Sequence, residues 1–404
     1  MQVNDIGDLG GWEGYQVASF ENDGTTATIK LQSQRNRPGT CPKCGRNTDH
    51  IHDYRWRRVR DLPLFGTTIT LEVERRRLRC PRCGPFTENL PWLAARSRLT
   101  RRLGAAVAGL CEHMALAHVA EFFGLGWDAV KQADREALER HLSGQDPRSA
   151  RILAMDEFAI QKGHRYATVV IDIESGAVLW VGRGRSRGDI RPFFAMMGAE
   201  ACTRIEAVAI DCNATYALEI RDHCPNAKIV YDLFHIVARY GREVIDRVRV
   251  DEANRLREDR AGRKLVKGAR WLLLRNRENI TRPEDRVRLT ELLAANRRLA
   301  KAYIMKDDLK LLWSFKDEKE AAQHWQQWYQ RAVRSRIPPL VHFARNLVLW
   351  RDGILAHCRY PIHTSVIEGV NNKIKVIKRM AYGFRDDAYF FLKIRAAFYH
   401  PDTG

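Results

Sequence analysis

Four of the nine cysteines stand as two close pairs, Cys41-Pro-Lys-Cys44 and Cys80-Pro-Arg-Cys83, and this spacing constrains the fold more than any other feature of the chain. Each pair can bend around one side of a tetrahedral zinc ion, so that four soft thiolates enclose it. The other five cysteines are scattered, which fits a reducing compartment and a metal clip better than a disulfide scaffold. Four thiolates leave no open ligand position, so the zinc expected here is structural. His50 and His52 are close enough in sequence to replace a cysteine, although surface histidines are the simpler reading. Between the pairs, Thr68–Leu78 alternates in a basic, β-compatible pattern, which predicts a zinc ribbon over residues 37–95. Arg55, Arg57, Arg58, Arg60 and the Arg75–Arg79 cluster around Arg77 supply cations that would position a phosphate backbone without reading bases. The competing reading of those cations is a solubilising surface.

A net charge of +19 over 404 residues makes a polyanion the expected partner. Nucleic acid is favoured over an anionic membrane, because no apolar stretch reaches membrane length. The first residues lack the basic, apolar, small-residue order of a secretory signal, which predicts a cytoplasmic protein. Before the ribbon, in residues 1–36, Tyr15–Phe20 and Thr25–Leu31 flank Glu21-Asn-Asp-Gly24 and predict a hairpin. After it, residues 98–145 predict three helices, Arg101–Cys111, Ala115–Phe122 and Trp127–Leu142, with a turn at Phe123-Gly-Leu-Gly126. Such a helix-turn-helix would lay a helix in a major groove. Asp128, Lys131, Gln132 and Arg135 are its candidate contacts, with Lys131 and Arg135 the better suited to phosphate.

Strand patterning begins after a Ser143–Pro147 linker and marks an α/β region over 150–248. Arg151–Ile160 carries Asp156 and Glu157, a turn at Lys162-Gly-His164 leads to Tyr166–Ile173, and Ala177–Gly182 completes a meander. Asp189–Met197 reads as a helix. Ala207–Ile210 is a short apolar strand ending at Asp211, and Ile229–Tyr231 is another, ending at Asp232. Helical periodicity then covers Phe234–Val248. Three hairpin-linked strands followed by helix–strand–helix–strand–helix is the order of an RNase H-like core. Aspartates at the ends of buried strands suit ligand binding, although an isolated one is more often a loop cap. Glu157 alternates away from Asp156, and Asp172 suits the adjacent turn.

Residues 249–345 read as a charge-rich helical insertion. Thr281 and Glu284 form a possible capping box there. Arg263, Lys264, Lys267 and Arg270 share a basic face, and Trp313, Trp325 and Trp328 read as packing residues. In the final segment, 346–404, Val366, Val370, Ile374 and Ile377 form an apolar stripe, while Glu368, Asn372, Lys375 and Arg379 share the opposite face. One carboxylate followed by amides and cations suits a metal and then a phosphate backbone. The plainer alternative is that Ser365 and Glu368 cap the helix.

The ordered set of motifs resembles the ISL-three family of bacterial insertion-sequence transposases. It comprises CPKCG at Cys41–Gly45, Arg60–Pro63, CPRC at Cys80–Cys83, Met155–Asp172, Ala209–Tyr216, Tyr231–Ile236 and Glu368–Asp386. The resemblance implies a zinc ribbon, a helix-turn-helix and an RNase H-like nuclease domain with a DDE triad at Asp156, Asp211 and Glu368. It further implies two Mg²⁺ (or Mn²⁺) ions held by that triad. Phosphodiester hydrolysis at the element ends would be followed by attack of the 3′-hydroxyl on target DNA. The partners implied are double-stranded DNA in the form of terminal inverted repeats and target, with a homodimer assembled on DNA and the protein at the nucleoid when bound. Asn371, Asn372, Lys375 and Arg379 become candidate DNA contacts, and Asp232 and His235 stand in a second tier. Two alternatives compete, namely an inactive DNA-binding regulator on the same scaffold and a nuclease without strand transfer.

Overall fold

The computed structural model describes residues 10–35, 37–94, 97–161, 163, 165–362 and 364–401, the side chains of 364 and 365 excepted. Along the chain come strands β1 (Tyr15–Asn22), β2 (Thr26–Ser33), β3 (Gly39–Thr40), β4 (Asn47–Thr48), β5 (Ile51–Leu64), β6 (Thr67–Cys80) and β7 (Gly84–Thr87). The predicted turn between β1 and β2 is pinned by Asp23, whose Oδ1 accepts the N–H groups of Thr25 and Thr26 at 2.9 and 2.7 Å. One sheet runs in the order β1-β2-β6-β5, with β7 also on β6. Because β2 pairs β6 in parallel, from Thr26↔Thr68 to Leu31↔Val73, the boundary expected at residue 36 falls inside a single sheet. Residues two apart on a strand share a face. Ala27, Ile29 and Leu31 on β2 therefore meet Ile69, Leu71 and Val73 on β6 in one core.

Helices α1 (Arg101–Cys111), α2 (Leu116–Phe123) and α3 (Trp127–His141) follow close to the predicted positions. Their core is Leu103, Val107, Val119, Phe123 and Val130. Gly124, in the left-handed region at φ +58°, ends α2 and makes the sharp turn that a side chain with a Cβ would resist. Arg60 donates to the carbonyls of Phe123 and Gly124 at 3.0 and 3.2 Å, capping that helix end. Its neighbour Asp61 is wholly buried and accepts from Trp12 Nε1 (2.9 Å), Thr100 Oγ1 (2.6 Å) and Arg102 Nε (2.7 Å). Thr100 is the N-cap of α1, so this carboxylate fastens the start of the helices to the sheet.

Burial alone would raise the carboxyl of Asp61, but the hydrogen bonds from Arg102, Thr100 and Trp12 outweigh it and hold the group below its usual range. Its contribution to stability is therefore present above the unfolded carboxylate value, about 3.9, and is lost as pH falls through the lower folded value. Asp61→Ala leaves the side chains of Trp12, Thr100 and Arg102 without their acceptor and should cost about 3 kcal/mol at neutral pH. In denaturant unfolding, the gap from the unmodified protein should narrow only in acid.

The second region carries β8 (Ile152–Gln161), β9 (Arg165–Asp172), β10 (Val178–Arg183), α4 (Arg187–Met197), α5 (Ala199–Arg204), β11 (Ala207–Ile210), α6 (Ala214–His223), β12 (Lys228–Tyr231) and α7 (Leu233–Tyr240). The sheet order is β10-β9-β8-β11-β12. The first three strands are antiparallel, and β11 lies parallel to both β8 and β12. Ser186 and Asp189 close a capping box at the start of α4. Asp172 accepts from Glu174 N and Ser175 Oγ, serving its turn as expected. The predicted turn at Lys162-Gly-His164 has only Gly163 among the described residues, at φ +93°.

A π-helical turn, Gly241–Ile245, leads into α8 (Asp246–Arg255). The chain continues with α9 (Arg260–Gly268), α10 (Arg270–Leu274), α11 (Pro283–Ala295), α12 (Arg297–Lys310), α13 (Glu318–Val333), α14 (Pro338–Leu347), α15 (Arg351–Leu355), α16 (Thr364–Met380) and α17 (Asp387–Ala396). The inserted helices share one continuous core with the sheet, reaching from Ile210 and Tyr216 to Trp325 and Trp328. Trp328 Nε1 donates to the Met305 carbonyl at 2.9 Å, as a packing tryptophan should. The capping box expected from Thr281 and Glu284 does not form. Arg282 is the N-cap, and Pro283, pre-set for the first turn, begins α11 without a side-chain cap. Residues 338–358 form a run of short α and 3₁₀ pieces.

The chain divides into two compact units, Met1–Ser143 with Val376–Lys393, and Gly144–Lys375 with Ile394–Gly404. The first unit thus takes in part of the C-terminal segment. There, Tyr389 Oη donates to the buried Asp134 of α3, and Lys393 Nζ reaches Asp134 and the Cys111 carbonyl at 2.9 Å each.

Candidate active site and metal centre

The sulfur atoms of Cys41, Cys44, Cys80 and Cys83 all lie within 4.8 Å of one another. Both pairs end in a glycine with a left-handed backbone, Gly45 at φ +71° and Gly84 at φ +82°, which turns each loop back beneath its sulfurs. Cys44 Sγ and Cys80 Sγ stand 3.6 Å apart. That is far beyond a disulfide bond and close to the roughly 3.8 Å that two thiolates reach on a tetrahedral zinc with bonds of about 2.3 Å. The donor set fits a structural zinc site. His50 and His52 are exposed and outside the cluster.

In the second unit, three aspartates reach one level by register. Ala209 on β11 pairs with Ala154 on β8 and with Val230 on β12. Asp156 stands two residues further on in β8, and Asp211 and Asp232 directly follow the last residues of β11 and β12. Asp156 Oδ1 accepts from Glu157 N at 2.8 Å, and its Oδ2 accepts from Asn371 Nδ2 on α16 at 2.6 Å. Asp211 Oδ1 accepts from Asn213 N at 3.0 Å, and Asp232 Oδ1 from Phe234 N at 2.7 Å.

Burial pushes the Asp211 carboxyl up to about 6; His235 opposes this, while Asp156 and Glu157 add to it. Burial likewise raises Asp232, which the Phe234 N–H and His235 oppose and which Asp156 and Glu368 reinforce. His235 Nε2 is 3.8 Å from Asp232 Oδ2. Asp156 thus acts on both Asp211 and Asp232, and Glu368 acts on Asp232. Among the described residues only the four cysteines gather three or more metal-binding side chains within 4.8 Å of one another, so the carboxylates are spaced more loosely.

Glu368 is exposed on the first turns of α16, opposite the stripe of Val370, Ile374 and Ile377, which is buried as expected. The capping role considered for Ser365 falls outside the described side chains. Asn371 bridges to Asp156, while its own Oδ1 is buried without a hydrogen-bond partner. Asp156, Asp211 and Glu368 offer oxygen donors, the kind a hard divalent cation takes. Glu157 turns instead to Arg185, at 2.9 Å.

The other candidate contacts are distributed. Asn372 is exposed and accepts from Lys375 at 3.3 Å, and Arg379 is exposed on the same helix. Arg57 donates to the Ser97 carbonyl, Arg58 pairs with Glu72 at 2.7 Å, and Arg77 pairs with Asp53 at 2.7 Å. Gln132 and Arg135 hold Glu136 and Glu139 along α3. Lys131 is engaged by Asp386 at 2.9 Å and lies over the Trp127 and Tyr389 rings. Two features have no counterpart in the sequence reading. Tyr54, Trp56 and Arg58 share an outward face of β5, with Lys30 over Trp56, and Phe234 stands exposed beside Asp232. An aromatic residue in an apolar pattern reads as core, and its exposure has no signature in sequence alone.

A thiolate-held ribbon, a helix-turn-helix and a mixed sheet bearing clustered carboxylates together define a DNA transposase of the DDE class. The ISL3 family's DDE domain, described as a transposase, matches residues 153–394. A zinc finger of transposases IS204/IS1001/IS1096/IS1165 matches 37–83, and the helix-turn-helix domain of transposase family ISL3 matches 88–137. The transposase for insertion sequence element IS1001 of Bordetella parapertussis is 50% identical over 394 residues, covering 96% of this chain and 97% of its own. The transposase for IS1557 of Mycobacterium tuberculosis is 28% identical over 399 residues, covering 90% and 86%. The chain belongs to the ISL3 family of insertion-sequence transposases, DNA-binding proteins with an N-terminal zinc finger and helix-turn-helix. Among the described residues, no helix is long and apolar enough to cross a membrane.

Proposed function

We propose that this transposase hydrolyses phosphodiesters at the ends of its own element and joins the freed 3′ ends to target DNA, on an RNase H-like core whose catalytic carboxylates are Asp156, Asp211 and Glu368. The observation that carries the reading is the common level of Asp156 and Asp211 at neighbouring parallel strands, with the helix that bears Glu368 tied to Asp156 through Asn371. The strand order 3-2-1-4-5 of the mixed sheet supports the RNase H-like assignment.

The three carboxylates would hold two Mg²⁺ or Mn²⁺ ions, which when bound supply Lewis-acid activation of the attacking oxygen and stabilise the leaving one. The chain's own contribution is orientation. Glu157 N and Asn371 Nδ2 fix both oxygens of Asp156, and Asn213 N fixes one of Asp211. Fixed donors need no rearrangement as charge develops. His235 tunes the field around both Asp211 and Asp232, a positioning role. Asn372, Lys375 and Arg379 continue along α16 from Glu368 and suit the phosphates flanking the scissile one. Arg57, Arg58, Arg77, Gln132 and Arg135 belong to faces that suit duplex DNA, with the element's terminal repeats as the sequence read. Two ends must be handled together, which favours a homodimer on DNA in the bacterial nucleoid.

The test is cleavage and end-joining with labelled DNA that flanks the gene itself. Zinc-loaded protein with Mg²⁺ should nick at the element ends and join them to a second duplex, and omission of Mg²⁺ should stop both. Binding without cleavage would reduce the protein to a regulator, and cleavage without joining would reduce it to a nuclease.

A further inference from the structure

Within the inserted helices, α9 presents Arg260, Lys264 and Lys267 at spacings of four and three residues, with Arg263 beside them, so four cations share one face. Val266, on the other side, is the residue of α9 buried in the core. Asp259 is occupied at the start of the helix, where its Oδ1 accepts the Gly262 N–H at 2.9 Å. Two residues past the end of α9, Arg270 lies over the ring of Trp271, 5.4 Å from its centre. Arg270 also approaches Asp246 at 3.5 Å. Trp271 is 70% exposed, although the two leucines that follow it, Leu272 and Leu273, are buried. The indole thus stands largely in water at the end of a row of lysines and arginines.

We propose that the ridge from Arg260 to Trp271 binds DNA that carries an unpaired base, the cations tracking the phosphates and the indole stacking on the base. The preference for an unpaired base follows from geometry. In a duplex each base face is covered by its neighbours, so a flat ring standing out from the protein meets a base face only where pairing has opened. The basic row supplies the charge complementarity and is indifferent to sequence. Arg270 holds one face of the indole, leaving the other for the base.

The test uses none of the three carboxylates and runs without divalent metal, so failure here leaves the catalytic reading untouched. Full-length protein is titrated with a labelled duplex ending in a short single-stranded overhang that contains 2-aminopurine, and with the same duplex blunt-ended. Trp271→Ala should weaken overhang binding by about tenfold, within the range of one base–aromatic stack, and relieve the 2-aminopurine quenching. Binding of blunt duplex should stay unchanged, and Trp271→Phe should retain most of the affinity. The pair Lys264→Gln and Lys267→Gln should weaken both DNAs and lower the salt slope by about 0.9 for each phosphate that is no longer neutralised. Because Trp271 is exposed, thermal unfolding of its variants should match the unmodified protein. Unchanged overhang affinity in Trp271→Ala, an equal loss on both DNAs, or an unaltered salt slope in the lysine pair would overturn the proposal.

Discussion

Asp211→Asn is expected to lower Mg²⁺-dependent cleavage by at least about 10³-fold, the equivalent of about 4 kcal/mol of transition-state stabilisation, while leaving DNA binding in place. The amide keeps the size of the carboxylate and can still accept the Asn213 N–H, but it lacks the charge that holds a divalent cation. The same substitution should make the metal-free protein more stable. Burial raises the folded-state value of Asp211 from 3.8 to about 6. For an acid raised in this way, the contribution to stability is greatest in acid and is lost as pH climbs from the unfolded value through the folded one. At neutral pH the ionised group therefore costs of the order of 3 kcal/mol, which asparagine removes. Asp156→Asn and Glu368→Gln should share the loss of cleavage. Glu368, being exposed, should leave stability almost unchanged. Single-turnover kinetics alongside thermal unfolding separates these effects. A variant of any of the three that cleaves at the original rate would remove that residue from the site.

Loss of the zinc clip should have the largest structural effect. The sheet core of the first unit is modest, built from Trp12, Tyr15 and a few aliphatic residues of β2, β5 and β6. The cysteine end of β5 and β6, with the two-residue strands β3 and β4, has little apolar material of its own. Zinc bound to four thiolates is worth about 10–16 kcal/mol in small zinc domains, so most of the order at this end should come from the metal. Cys44→Ser or Cys80→Ser should abolish stoichiometric zinc, lower the unfolding temperature of the N-terminal unit and weaken binding to element-end DNA. The second unit, with its own large core, should unfold as before. Metal analysis and calorimetry on the same sample give both readouts. Retention of one zinc per chain in either variant would contradict the four-thiolate site.

Legibility differs from element to element for physical reasons. Asp156 and Asp211 can be placed because each interrupts or ends an apolar strand, and α16 because its stripe of Val370, Ile374 and Ile377 follows the helical period. Periodicity reports which face is buried, and it says nothing about the partner. The parallel pairing of β2 with β6 is therefore invisible in sequence, as is the grouping of Tyr389 and Lys393 with Asp134, more than 250 residues away in the chain. Proline pre-set for a helix start displaces the cap expected at Thr281. Lys131 reads in sequence as a phosphate contact, but its charge is matched by Asp386, a residue no local pattern links to it.

Asn371 reads in sequence as a residue that either positions DNA or braces a carboxylate, and it spans from α16 to Asp156. This hydrogen bond is what ties the C-terminal helix to the strand bearing the first aspartate. It is also the local reason that Glu368, three residues earlier on the same helix, is held near the sheet.

The most direct measurement is anomalous diffraction from crystals of the protein bound to element-end DNA and Mn²⁺. Two manganese peaks, both contacted by carboxylate oxygens of Asp156, Asp211 and Glu368 and flanking the scissile phosphate, are the result this account predicts. Manganese bound elsewhere, with those three side chains turned away from the DNA, would contradict it.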